Sequence, residues 1–259
     1  MMKELNTRIY FITDSTPYSE EEFLSRVSSA LAGGVTLIQL REKERTTREY
    51  IDLAQKVHAL AKQFGVPLII DDRVDVALAA GVEGVHLGQS DMPIKTARKI
   101  LGEDYIIGAT AKTVEQATEA YKQGADYLGV GAIYPTTTKV KTVLTSTEML
   151  DKICKAVPIP VNAIGGLNKD NIDVLKGIDI KGVCAVSAIM KADDPEAAVK
   201  ELSQAVKEKL GISIRIYRRM FGDLLGMTLL KKGLSPNPTP KTFNDFSPLA
   251  ISPPITKNS

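Results

Sequence analysis

The chain has 259 residues, with 33 Lys or Arg against 31 Asp or Glu, 44% hydrophobic residues, two Cys and no Trp. That length buries a substantial core in one large domain or two small ones. The near-neutral charge speaks against a dedicated nucleic-acid surface, and two cysteines make no disulfide framework. No apolar run approaches the roughly 20 residues that cross a bilayer, the start MMKELNTRIYF lacks a signal-peptide core, and the cytoplasm is the expected location.

Short β-branched runs alternate with longer segments of helical period. The first run, Arg8–Thr13, leads into DSTPYS, which is not a Gly-rich dinucleotide loop. Phe23, Leu24, Val27 and Leu31 then line one face of a helix, AGGV ends it, and Val35–Leu40 is the second strand. It runs into Gln39-Leu40-Arg41-Glu42-Lys43. Two cations one residue apart suit an anion, Arg as a planar fork and Lys as a mobile point charge; a solvated charged loop is the plainer reading.

Tyr50, Leu53, Ala54, Val57, Leu60 and Ala61 line the next helix, which also carries His58, and Pro67–Ile70 is the third strand. Asp71, Asp72, Arg73 and Asp75 follow it. The fourth strand, Gly84–Leu87, contains His86, read as a packed strand residue rather than a base, and leads to Gln89, Ser90 and Asp91. Carboxylates on two adjacent strand ends can share a hard cation such as Mg²⁺, which prefers oxygen ligands and keeps waters and substrate phosphates in its shell. Alternatively, one of Asp71 and Asp72 caps the helix that begins at VDVALAA.

Strands five and six are Tyr105–Ala109 and Tyr127–Val130. The sixth continues into Gly131-Ala132-Ile133-Tyr134-Pro135-Thr136-Thr137-Thr138-Lys139, whose hydroxyls and ammonium can hold phosphate or carboxylate oxygens, unless this is simply a solvated Thr-rich loop. After strand seven, Val161–Ile164, comes Gly165-Gly166; at the end of strand eight, Val183–Ser187, come Val186, Ser187 and Ala188. Exposed amides and a following helix N-terminus at this position suit a phosphate. Cys154 fits a helix face and Cys184 a barrel strand, both as small hydrophobes.

Eight strand-then-helix units of about 25 residues predict a (β/α)₈ TIM barrel over residues 1–210, with polar residues at the C-terminal strand ends as the place for chemistry. No nucleophile, base and orienting acid stand at recognisable spacing, so the site reads as one built for phosphate electrostatics. Residues 211–259 differ in kind: seven basic and two acidic side chains, with six of the 13 prolines between 235 and 259. They are expected to form a C-terminal extension, poorly folded where Pro removes amide donors. Ile212–Leu230 reads as a short amphipathic helix that packs on the barrel, joins subunits or touches an anionic membrane.

From YFITD at 10–14 to AVSAIM at 185–190 the chain resembles the thiamine-phosphate synthase (thiamine-phosphate pyrophosphorylase) family. The resemblance is strongest in TLIQLREK at 36–43, DDRVDVALAAGVEGVHLGQSDMP at 71–93, GADYLGVGAIYPTTTK at 124–139 and AIGGL at 163–167. It implies a Mg²⁺-dependent TIM-barrel enzyme that joins 4-amino-2-methyl-5-hydroxymethylpyrimidine diphosphate to a thiazole phosphate, carboxylated or not, and releases pyrophosphate. Carried over residue by residue, it implies Arg41 and Lys43 on the diphosphate, Asp72 and Asp91 near Mg²⁺, and Lys139 beside the departing pyrophosphate. Gln39 would orient the pyrimidine, Thr136 and Thr138 would hold the thiazole, and the amides around Gly166, Val186 and Ser187 would receive its phosphate. Asp71 and Thr110 fall at substrate-binding positions with changed chemistry: the family usually has Asn-Asp at 71–72, and Gly-x-Ser-x-His where this chain has Gly-Ala-Thr-Ala-Lys at 108–112. Lys112 in place of that histidine argues against the related thiazole tautomerase. A non-catalytic phosphate-binding regulator on the same barrel is the other reading, and a homo-oligomer is compatible with either.

Overall fold

A computed structural model describes residues 4–135 and 143–212, together with the backbone of 217–218. The described residues belong to one compact unit, Met1–Arg219. It is built on a closed barrel of eight parallel strands: β2 Ile9–Ile12, β3 Leu37–Leu40, β4 Leu68–Asp71, β5 Gly84–Leu87, β6 Ile106–Ala111, β7 Tyr127–Gly131, β8 Val161–Ile164 and β9 Gly182–Ala185. Neighbours follow chain order, and β9 closes on β2 with Tyr10 opposite Cys184. All eight expected strands are present, Gly84–Leu87 and Val161–Ile164 with the expected bounds and the other six shifted by one or two residues at one or both ends. One such shift matters chemically. Asp71 is the last residue of β4, paired with His86, rather than the first residue of a loop.

The helices form where capping chemistry and an apolar stripe coincide. Helix α1, Glu20–Ala32, starts on the Ser19 side chain, which accepts from the Glu22 amide, and three glutamates in its first turn complement the positive end of its dipole. Helix α2, Thr47–Gln63, opens with a reciprocal capping box between Thr46 and Glu49 and buries Tyr50, Leu53, Ala54, Val57, His58 and Ala61. His58 is thus buried, bonded at 2.8 Å to Glu83. Helices α3 Val74–Ala80, α4 Ile94–Leu101, α5 Val114–Lys122 and α6 Thr147–Ala156 follow the next strands. After β8 the helix is reduced to a 3₁₀ turn, Ile172–Leu175, and β9 is followed by a four-residue α7, Ser187–Met190, and then by α8, Pro195–Leu210. Among the described residues no helix is long and apolar enough to cross a membrane.

Period-two alternation sorts the strand side chains into two cores. Ile9, Phe11, Ile38, Leu40, Leu68, Ile70, Val85, Ile107, Leu128, Val130 and Val183 point outward against the helices, in one cluster with Phe23, Leu53 and Val199. Tyr10, Ile12, Leu37, Ile69, Ile106, Tyr127 and Cys184 point inward and fill the barrel, joined from the chain start by Leu5.

Strand β1, Glu4–Leu5, pairs antiparallel with β10, Tyr217–Arg218. This corrects the sequence expectation of a helix through 217–218: the backbone there is extended because it completes a ladder with a chain segment more than two hundred residues away, which local periodicity does not reveal. Residues 213–216 and 219–230 of the expected helix and the Pro-rich segment lie outside the described residues, as do Thr136, Thr138 and Lys139.

Candidate active site

A cavity of about 620 Å³ opens at the C-terminal ends of the strands. Gln39, Arg41, Lys43, Asp71, Asp72, Asp91, Thr110, Gly166, Val186 and Ser187 all line it. These ten expected site residues come from six different strands or strand-following loops, and barrel closure brings them to one rim.

The charged corner lies over β3, β4 and β5. The segment after β3 is pinned from both sides: the Arg41 amide donates to Thr13 Oγ1 at 3.3 Å, and Glu42 accepts from Ser15 at 2.8 Å and Arg45 at 3.1 Å. With Glu42 turned away into those bonds, its neighbours Arg41 and Lys43 face the cavity. Lys43 Nζ donates to Asp71 Oδ2 at 2.7 Å and also to Asp72, and Arg41 stands 3.7 Å from Asp71. Neither aspartate caps α3, since its N-cap is Arg73 and no side chain bonds the helix start. Asp72 has φ 62°, a left-handed conformation uncommon outside glycine but tolerated by Asp, and it turns the chain sharply off the strand end.

Asp72 also lies within hydrogen-bonding reach of Asp91, whose Oδ2 is held by the Gly88 amide at 2.6 Å. The charges respond as elementary electrostatics requires. Burial, then the negative charge of Asp72, raises the Asp71 carboxyl to about 6, against the pull of Lys43. Burial pushes Asp72 up as well, but the hydrogen bonds to Lys43 and Asp91 outweigh it and its net shift is down. Asp91 moves up, through burial and then through its contact with Asp72. Lys43 is raised: its carboxylate partners overcome the cost of burial. Three carboxylates crowd one lysine and, more loosely, one arginine, and Asp72 and Asp91 are within hydrogen-bonding reach of each other. Among the described residues no group of three or more His, Cys, Asp or Glu is arranged around a metal position. A two-carboxylate corner is nevertheless the kind of set that Mg²⁺ uses when waters and phosphate oxygens complete its shell.

The opposite wall is neutral. Gly165 and Gly166 both have positive φ, 103° and 66°, and a side chain on either would collide with the segment after β7, at Ala132 Cβ and Tyr134 Cβ respectively. The glycine pair therefore has a packing reason beyond access to a phosphate. The Gly165 carbonyl accepts from the Tyr134 amide at 3.0 Å, and the Ile164 carbonyl from the Ile133 amide at 2.9 Å. The expected dipole contribution after β9 is small, because α7 is only four residues long; what remains there is backbone polarity beside Val186 and Ser187. Thr145 is bonded to the end of β7 and the residue after it, its amide donating to Ala132 O at 2.8 Å and its hydroxyl to Gly131 O at 3.1 Å.

Sequence reading missed the cavity floor. Tyr10 and Tyr127 meet hydroxyl to hydroxyl at 2.7 Å, Gln39 Nε2 donates to Tyr10 at 2.7 Å, and His86 bonds Tyr127 through Nδ1 at 3.2 Å and Thr110 through Nε2 at 3.0 Å. His86 is a packed strand residue, as expected, yet it is also part of this polar floor. The available signal was a pair of tyrosines at inward positions of otherwise apolar strands. Lys112 and Gln116 line the cavity too. Cys184 reaches it, but burial pushes its thiol far up, so it offers no thiolate.

The family model for thiamine monophosphate synthase matches residues 9–189. The chain is 49% identical over 203 residues to thiamine-phosphate synthase 2 of Streptococcus pneumoniae, covering 78% of this chain and 95% of that protein. It is 44% identical over 208 residues to thiamine-phosphate synthase of Methanobrevibacter smithii, covering 80% and 99%. Among solved structures, thiamine phosphate pyrophosphorylase from Pyrococcus furiosus superposes with a TM-score of 0.73 at 41% identity, covering 80% of this chain and 98% of that one. With the barrel, the charged rim and these similarities in agreement, the chain belongs to the thiamine monophosphate synthase family.

Proposed function

We propose that this barrel condenses 4-amino-2-methyl-5-hydroxymethylpyrimidine diphosphate with a thiazole phosphate to give thiamine phosphate and pyrophosphate, and that it does so by letting the carbon–oxygen bond open first. Family membership carries the overall reaction. The observation that supports the mechanism is the charged corner, where Arg41 and Lys43 meet Asp71 and Asp72 at the rim of a cavity with no activated nucleophile among its described lining residues.

Breaking the methylene–oxygen bond puts growing negative charge on the departing pyrophosphate. Arg41 offers a planar fork and Lys43 a mobile ammonium, and both bind a charge that grows more tightly as the bond opens, which is what lowers a barrier. Lys43 exchanges its carboxylate partners for phosphate oxygens in the process. Lys139 is assigned to the same pyrophosphate from its position in the motif. Asp72 and Asp91 would hold Mg²⁺, whose contribution when bound is to neutralise the leaving group's charge.

The electron-rich aminopyrimidine supports the cation left behind, and the thiazole nitrogen supplies the electron pair for the new carbon–nitrogen bond. Gln39 orients the pyrimidine, Thr136 and Thr138 the thiazole, and the backbone around Gly166, Val186 and Ser187 takes the thiazole phosphate. Holding both partners across one cavity mouth removes most of the entropic cost of bringing them together.

The test is turnover of the purified protein with both substrates. Thiamine phosphate and pyrophosphate should appear in equal amounts with Mg²⁺ and be suppressed by a chelator and by Asp91→Asn. Saturable binding of both substrates without product would overturn the reading.

A further inference from the structure

The floor of the cavity carries hydrogen bonds whose direction is decided by counting hydrogens. Gln39 Nε2 is a donor, so the Tyr10 hydroxyl oxygen accepts from it at 2.7 Å. Tyr10 is 1% exposed, and its own hydrogen finds an acceptor in the Tyr127 hydroxyl, 2.7 Å away. Tyr127, fully buried, must then pass its hydrogen to His86 Nδ1 at 3.2 Å. A neutral imidazole that accepts at Nδ1 carries its hydrogen on Nε2, which donates to Thr110 Oγ1 at 3.0 Å. Within the bonds that Gln39, Tyr10, Tyr127, His86 and Thr110 make with one another, any other assignment that keeps the Gln39 amide as found leaves a buried tyrosine hydrogen unused, at a cost of about 1–3 kcal/mol.

The two ends of this chain face the cavity. Gln39 has spent an N–H on Tyr10, leaving its carbonyl oxygen as an acceptor; Thr110 has spent a lone pair on His86, keeping its hydroxyl hydrogen to donate. The barrel makes room for the arrangement. Gly108 stands opposite Tyr127 on the neighbouring strand, and a side chain there would overlap the Tyr127 ring and hydroxyl at 2.1–2.5 Å.

We propose that Tyr10, Tyr127 and His86 are positioning residues that fix the hydrogen-bond polarity of Gln39 and Thr110, so that the site selects a pyrimidine bearing an exocyclic amine through acceptance by the Gln39 carbonyl. An amide that was free to rotate would serve an oxo-pyrimidine, with its acceptor oxygen, as well as an amino-pyrimidine. Anchored on Tyr10, the amide presents only its oxygen, and the wrong substrate meets two opposed acceptors. This rests on the proposed pyrimidine substrate; the polarity of the floor does not.

Two measurements test it. Nitrogen-15 NMR of the histidine-labelled protein at a pH where the ring is neutral, with the His86 signals identified by their loss in His86→Asn, should show Nε2 protonated and Nδ1 bare; the opposite tautomer overturns the polarity. Steady-state kinetics of Tyr10→Phe, which keeps the ring and deletes the hydroxyl, should show KM for the amino-pyrimidine diphosphate raised about tenfold, the worth of one buried hydrogen bond. KM for the thiazole phosphate should be unchanged, and a pyrimidine diphosphate lacking the amine should be used equally by the variant and the unaltered protein. Equal losses on both pyrimidines, or on both substrates, would reduce Tyr10 to a packing role and overturn the proposal; Tyr127→Phe provides the same comparison should Tyr10→Phe fold poorly. Absence of product from the unaltered protein would strike the functional reading alone and leave the tautomer result standing.

Discussion

The two cores of this barrel are made on opposite terms. Between strands and helices, Ile9, Phe11, Ile38, Leu40, Leu68, Ile70, Val85 and Val183 form an apolar shell with few polar atoms. Inside the strands, the same eight segments contribute two tyrosines, a glutamine, a histidine and an asparagine, and the described rim adds three carboxylates and three cations, Arg41, Lys43 and Lys112. Neighbouring residues of one strand serve the two purposes alternately: Phe11 packs outward between Tyr10 and Ile12, and Leu40 outward between Gln39 and Arg41. Stability and chemistry are thereby separated by a single residue step, and substitutions on the two sides should fail in different assays.

The outer shell offers the largest effect. Phe11→Ala should cost about 3–5 kcal/mol of unfolding free energy, measured by denaturant titration, because a fully buried ring is replaced by a cavity. The molecules that remain folded should keep their KM values. If KM rose in step with the loss of stability, the two cores would not be separable. Next comes the rim. Arg41→Ala should lower kcat/KM for the pyrimidine diphosphate by about a hundredfold or more while the thermal midpoint hardly moves, since the side chain's one carboxylate contact among the described residues, to Asp71, is a loose 3.7 Å.

A smaller change sharpens the contrast within the inner core. Asn162 is fully buried, and neither of its side-chain polar atoms has a partner among the described residues. It faces inward opposite Gly129 and is not among the cavity's lining residues. Asn162→Leu should stabilise the fold by about 1 kcal/mol with unchanged turnover, because an unsatisfied amide is exchanged for an apolar group of similar size. A loss of turnover would extend the functional layer deeper than the cavity floor. The smallest effect is expected from Asp71→Asn: with one fewer carboxylate on Lys43 and Arg41, KM for the diphosphate should fall about threefold. A rise would mean that Asp71 is needed to place the two cations.

The sequence reading went furthest where one strand or one helix is enough to make a pattern. The outward faces, the helix stripes and the order of charged strand ends are local, and Arg41, Lys43, Asp71, Asp72 and Asp91 line the cavity as their positions after apolar runs suggested. What it missed is made of distant pairs. Tyr10 and Tyr127 are 117 positions apart and meet only because β2 and β7 face each other across a closed barrel. Asp71 looked like a loop residue because no local signal says that β4 continues until it is opposite His86. The extended backbone at Tyr217–Arg218 has the same origin, since its partner is the chain start. The double glycine at 165–166 lines the cavity, and it also clears Ala132 and Tyr134 after β7, a contact between distant segments that no local pattern shows.

The central claim is that the cavity works by stabilising charge as a bond opens, with no protein atom bonding to carbon. The most direct measurement is the secondary deuterium isotope effect at the pyrimidine methylene, taken under conditions where the chemical step limits turnover. The account predicts an effect clearly above unity, as the carbon flattens toward a cation before the thiazole nitrogen arrives. A value at or below unity, the mark of a crowded associative displacement, would contradict it.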